Sequence, residues 1–112
     1  MNIQKVESEM KRLISVIISQ ELKDKAIVFV TVTDVKVPKD LSVATVYYTV
    51  MGKDPKRESV QKALAKSTGY IRSMIAKRMQ IRRVPNLEFE YDKSLDYGNK
   101  IDELLRQIKV DK

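Results

Sequence analysis

The 112-residue chain has no cysteine, no histidine and no tryptophan, and only three glycines and three prolines. Without cysteine there is no disulfide framework and no thiol chemistry, a composition that suits a reducing compartment. Without histidine the chain lacks the usual general base near neutral pH and the commonest metal ligand. No apolar run approaches the roughly 18 residues that would mark a membrane-spanning helix. The N-terminus lacks the basic stretch and apolar core of a secretory leader. Neither a membrane association nor a leader is therefore expected, and the cytoplasm is the expected location. There is also no internal repeat and no long linker, and the length argues for one domain over residues 1–112.

Positive charge is abundant, and it is concentrated. The net charge is +7, yet the stretch from Pro55 to Arg83 alone carries +8, from nine Lys or Arg and the single acid Glu58. The remaining residues therefore sum to −1. A basic segment of this kind points to an anionic partner, nucleic acid before anionic membrane.

The basic segment reads as helical. Asp54 is a suitable N-cap and Pro55 suits the first helical position. Val60, Ala63, Leu64, Ile71, Met74 and Ile75 fall on one stripe at 100° per residue. Lys62, Lys66, Arg72, Lys77 and Arg83 fall away from it and are candidates to contact phosphates. Arg78 and Arg82 join them as candidates, although an ideal wheel places both near the stripe. Ser67-Thr68-Gly69 interrupts the pattern, because Gly costs about 1 kcal/mol against Ala inside a helix and Ser and Thr compete for backbone groups. These three residues are read as a kink or break between two helices; the alternative is one weakened helix. The segment is expected to end at Arg83-Val84-Pro85, since the residue before proline disfavours helix.

The other elements follow from periodicity. Asn2 to Leu22 makes an amphipathic helix through Ile3, Val6, Met10, Leu13, Ile14, Ile17 and Ile18. Lys5, Lys11 and Arg12 lie on its polar side as a possible secondary basic face. Ile27 to Val37 reads as a strand that is apolar on both faces in its first half, the pattern of a central strand. Pro38-Lys39-Asp40 is a turn, and Leu41 to Val50 a second strand in an antiparallel hairpin. Leu87 to Tyr91 alternates apolar and acidic residues as a third, half-exposed strand. Ile101, Leu104, Leu105 and Ile108 make a closing helix. The reading is an α+β fold of order α-β-β-α-(kink)-α-β-α. It has a three-stranded mixed sheet, with helices on one face.

No catalytic constellation emerges. Glu88 and Glu90 share a strand face that reads as a solvated outer surface. Asp34, Asp40 and Asp92 lie at strand ends or turns, where aspartate commonly binds backbone N–H groups. There is no phosphate-cradling glycine loop, nucleotide fingerprint or metal-ligand spacing. No enzyme activity, cofactor, metal or small-molecule substrate is expected.

The element order resembles a type II KH domain, a module that grips single-stranded nucleic acid with a Gly-x-x-Gly loop. That loop is missing, and Ser67-Thr68-Gly69 stands at the corresponding junction. With this substitution the chain resembles the ribosome-binding factor A family, which has an Ala-x-Gly kink there; Ser67 departs from its usual Ala. The matching stretches are Thr31-Val32-Thr33-Asp34-Val35; Asp40-Leu41 through Ala44, Val46 and Tyr47; Gly69-Tyr70-Ile71-Arg72; and Arg82-Arg83-Val84-Pro85-Asn86-Leu87-Glu88-Phe89. Asp92-Lys93-Ser94 and Ile101, Leu104 and Leu105 complete the set. A second departure is Asp24-Lys25-Ala26, where the family often has Asp-Pro-Arg.

The resemblance implies a monomeric, non-catalytic assembly factor. It would bind the small (30S) ribosomal subunit late in maturation, near the ends of the 16S rRNA, assist folding and processing there, and support growth in the cold. Composition and periodicity say less: a basic α+β domain suited to RNA. On the residues alone, a general KH-like single-stranded RNA binder and a basic protein-interaction module stay open.

Overall fold

Asn2 begins the first helix, its side-chain oxygen accepting the Lys5 N–H at 3.2 Å. In the computed structural model, which describes residues 2–27, 29–50 and 57–94, α1 (Ile3–Val16) runs directly into a π-helical turn, Ile17–Glu21. The Leu22 N–H closes that turn on the Ile17 carbonyl at 3.0 Å. A short 3-10 turn, Lys25–Ile27, leads to β1 (Val30–Lys36), β2 (Val43–Val50), α2 (Arg57–Arg78) and β3 (Asn86–Tyr91). The expected cap at Asp54-Pro55 and the closing helix at Ile101 to Ile108 lie outside the described residues.

The sheet is mixed, as the pattern implied. Its order is β1-β2-β3, with β1 antiparallel and β3 parallel to β2. β1 is thus an edge strand rather than the central one that its apolar run suggested. β1 also carries a bulge between Val32 and Asp34, where Val32 faces Tyr48 and Asp34 faces Tyr47, so that Thr33 has no opposite number. One extra residue shifts the alternation by one. Val30 and Val32 before the bulge and Val35 and Val37 after it are consequently all buried. The apolar residues ahead of β1 divide differently: Ile27 is buried in the 3-10 turn before the strand and Phe29 is exposed, so the doubly apolar stretch is not a strand with two covered faces.

That face carries the core. Ala44, Val46 and Tyr48 of β2 oppose Leu87, Phe89 and Tyr91 of β3. The Tyr48 ring stands edge-on to Phe89 at 6.5 Å and to Tyr91 at 5.9 Å, favourable aromatic geometry. Val6, Met10, Leu13, Ile14, Ile17 and Ile18 of the first helix and Val60, Leu64, Ile71 and Ile75 of α2 complete it. Glu7 accepts the Val37 N–H at 2.7 Å, tying α1 to the chain just beyond β1. Thr31, Lys36, Glu88 and Glu90 lie away from the core, with Thr31, Lys36 and Glu88 exposed and Glu90 exposed beside the half-buried Phe89 and Tyr91. Asp34, Asp40 and Asp92 accept the N–H groups of Val35, Ser42 and Ser94, the turn-forming roles their positions suggested. Leu41 has φ 57 and is fully buried. The left-handed conformation costs about 1–2 kcal/mol, which the roughly 1.5–3 kcal/mol from burying leucine offsets.

The break at Ser67-Thr68-Gly69 is absent: α2 is one helix from Arg57 to Arg78. The Ser67 hydroxyl donates to the Ala63 carbonyl at 3.0 Å and that of Thr68 to the Leu64 carbonyl at 3.1 Å. Both hydroxyls are thereby satisfied within the helix instead of diverting the backbone. Each fully buried Leu or Ile of the stripe contributes about 1.5–3 kcal/mol, so any one of them outweighs the roughly 1 kcal/mol cost of Gly69. α2 also stops earlier than Arg83: the Met79 N–H makes the last turn's bond to Ile75 at 2.9 Å, and residues 79–85 form a loop.

Gly69 is exposed, and a Cβ built on it meets nothing within 4 Å. Gly69→Ala is therefore expected to stabilise the protein by about 0.4–1 kcal/mol, read as a raised midpoint in urea or thermal melts. A destabilised variant would mean that the glycine is needed for its conformation or for space.

Candidate nucleic-acid interface

The apolar stripe of α2 turns toward the sheet, so its opposite side faces solvent. Lys62, Lys66 and Lys77 are exposed there, and Arg82 and Arg83 are exposed on the loop that follows. Lys62 lies 3.5 Å from Glu58 one turn earlier, but both side chains are largely exposed and such a pair is weak. Lys66, Lys77 and Arg82 have no hydrogen-bond or ion-pair partner among the described residues. Arg83 helps to depress the Asp40 carboxyl, after the larger effects of hydrogen bonds from the Ser42 hydroxyl and N–H. Lys5, Lys11 and Arg12 are exposed on α1, and a groove that includes Lys5 and Arg78 separates α1 from the end of α2.

Two of the sequence candidates are already engaged with other parts of the chain. Arg72 is half-buried; its Nε donates to the Pro85 carbonyl at 3.0 Å and its Nη2 to that of Val84 at 3.1 Å. It fastens the loop to α2 and sets the start of β3. Arg78 donates through both terminal nitrogens to Glu21, at 2.6 and 2.8 Å. The Tyr70 hydroxyl donates to the same carboxylate at 2.9 Å. Helical spacing alone cannot show either engagement, because Pro85 and Glu21 are far from their partners in sequence. The usable signal is weaker: Arg78 falls near the apolar stripe on a wheel, as a residue reaching a neighbouring element would.

The same three-residue cluster fixes the Glu21 charge. The Arg78 hydrogen bonds, then that of Tyr70, hold its carboxyl below the ordinary 4.5. The bond to Glu21 raises the Tyr70 phenol in turn. Among the described residues no group of three or more His, Cys, Asp or Glu could hold a metal, and no helix is long and apolar enough to cross a membrane.

Arg72→Ala is expected to destabilise the fold by about 1.5–3 kcal/mol, the range for hydrogen bonds from a charged donor, in a denaturant melt. A surface role alone would leave stability unchanged. Acidification tests Glu21. Because its folded pKa is depressed, the pair's contribution is complete above the ordinary value of 4.5 and is lost as pH falls through the lower folded value. Glu21→Gln should lower Tm at neutral pH and show a shallower fall in Tm below about pH 4.5 than the parent. Identical pH profiles would remove the cluster from the stability account.

The ribosome-binding factor A family model matches residues 2–105. The chain is 48% identical over 109 residues to ribosome-binding factor A of Macrococcus caseolyticus, covering 97% of this chain and 96% of that protein. The crystal structure of ribosome-binding factor A from Thermus thermophilus superposes with a TM-score of 0.72 at 30% identity, over 80% of this chain and 94% of that one. A homology model of the Thermus thermophilus ribosome binding factor A, fitted into a cryo-EM map of its 30S complex, gives a TM-score of 0.66 at 30% identity, over 80% and 93%. The match in sequence runs nearly end to end and the sheet-and-helix arrangement agrees with it: the chain belongs to the ribosome-binding factor A family.

Proposed function

We propose that this protein is a cytoplasmic, non-catalytic assembly factor that binds the small (30S) ribosomal subunit through its 16S rRNA. It acts late in maturation near the rRNA ends, assists folding and processing there, and matters most for growth in the cold. The observation that carries the RNA contact is the exposed side of α2. Lys62, Lys66 and Lys77 stand on one continuous helix and are followed by Arg82 and Arg83, while the acids of β3 lie on the far side of the sheet. The 30S complex of the Thermus thermophilus relative supports the choice of subunit.

Phosphate contacts position such a protein and make its affinity salt-dependent through counterion release. If these five cations each neutralise one phosphate, log K falls against log salt with a slope of about −3.5 to −4.5. Changing Lys62, Lys66 and Lys77 together to Gln should flatten that slope by about 2–3, measured by pelleting with purified 30S subunits over a salt series. An unchanged slope would move the RNA face to Lys5, Lys11 and Arg12. No pelleting of the parent protein would overturn the assignment to the subunit.

A further inference from the structure

Lys66, Tyr70, Ser73 and Lys77 are spaced by four, three and four residues on α2, which places them in one line along the helix. All four are exposed, and Tyr70 keeps 42% of its surface open. At 1.5 Å per residue the line is about 16 Å long, with the ring about 6 Å from one lysine and 10 Å from the other along the axis. Phe89 and Tyr91 each pack edge-on against the buried Tyr48. Phe29 and Tyr70 are the exposed large hydrophobics among the described residues, and of these only Tyr70 stands between cations.

The ring is also held in place. Its hydroxyl is bonded to Glu21, whose charge is in turn met by the two-pronged Arg78 contact. A ring tethered at its polar end has already lost much of its rotational freedom, so presenting its face to a ligand costs little further entropy. The paired carboxylate beside it repels an approaching phosphate less than an isolated one would. A stacking face between two lysines that have no partner among the described residues is what a single-stranded nucleic acid requires: sequence-tolerant stacking of a base, with backbone charge neutralised on either side.

We infer that Lys66, Tyr70 and Lys77 form a single-stranded RNA site, in which the Tyr70 ring stacks on one unpaired base and the two lysines meet flanking phosphates. This rests on the RNA-binding reading above and adds a base contact to a surface otherwise described by charge alone. Ser73 lies between the ring and Lys77 as a hydroxyl within reach of the same strand.

The test uses the full chain with a mixed-sequence single-stranded RNA of about twelve nucleotides and an abasic strand of equal length and charge. The parent protein should bind the normal strand more tightly by about 5- to 140-fold, the value of one stacked base. Tyr70→Leu should abolish that preference while leaving the salt slope as in the parent. Tyr70→Phe should retain a preference for the normal strand, reduced by about 2- to 13-fold, the cost of ordering a freed ring. Melting curves for each variant separate lost binding from lost folding. Because the chain has no tryptophan, Tyr70→Trp provides a single, selectively excitable tryptophan that should be quenched by the normal strand and not by the abasic one. Equal binding of both strands by the parent, or no measurable binding of either, overturns the site. Pelleting with 30S subunits is measured in parallel: if it persists while the base preference is absent, only this inference falls; if it too is lost, the reading beneath it falls as well.

Discussion

β3 lies parallel to β2, so the chain must travel back along the sheet before β3 can begin. β2, at about 3.3 Å per residue, spans about 26 Å, and α2 returns over about 33 Å. The returning helix must lie across the sheet, and it can do so only with its apolar stripe inward. Much else follows from that geometry. The cations between the stripe residues have only solvent to face. The loop after α2 must turn sharply enough to bring Asn86 beside Val43, and Arg72 holds it there by two carbonyls. A broken α2 would still need to cover Ala44, Val46 and Tyr48. A single helix does so without exposing a second set of helix ends.

Most of this was legible in the order of residues, because burial imposes a period. The stripe from Val60 to Ile75, the alternation from Leu87 to Tyr91 and the turn at Asp40 each report on one element's own surroundings. What escaped depends on residues far apart in the chain. The bulge at Thr33 is visible only once β1 is paired with β2, and the apolar run reads as a central strand because periodicity does not show that Ile27 belongs to the preceding turn and that Phe29 is exposed. The continuity of α2 through Gly69 was misread for a related reason: local propensity registers the glycine's cost, while the burial that outweighs it comes from the sheet. The family resemblance reached the fold by another route, and the break into two helices read at its kink position gives way to a continuous helix.

The basic side illustrates the same division. Counting charge located the segment, and periodicity separated inward from outward positions. Neither could distinguish a cation waiting for a phosphate from one already bonded. Arg72 and Arg78 are engaged with Pro85, Val84 and Glu21, whereas Lys66, Lys77 and Arg82 are not engaged with any described residue. An arginine fork suits such fixed internal contacts, because its planar donors can reach two acceptors together. The lysines left outside carry mobile point charges, which suit a backbone whose exact path varies.

The bulge in β1 has a consequence for life in a crowded cell. Among the described residues β1 has β2 on one side only, and an edge strand offers a row of hydrogen-bonding groups to any passing chain. A strand that slips by one residue at Thr33 cannot present that row in even register, and the local twist it introduces turns part of the edge away. A neighbouring copy would gain a few good bonds and then fall out of step. The residue that brings Val30, Val32, Val35 and Val37 onto one face thus also discourages sheet-to-sheet polymerisation, with no separate side chain devoted to the purpose.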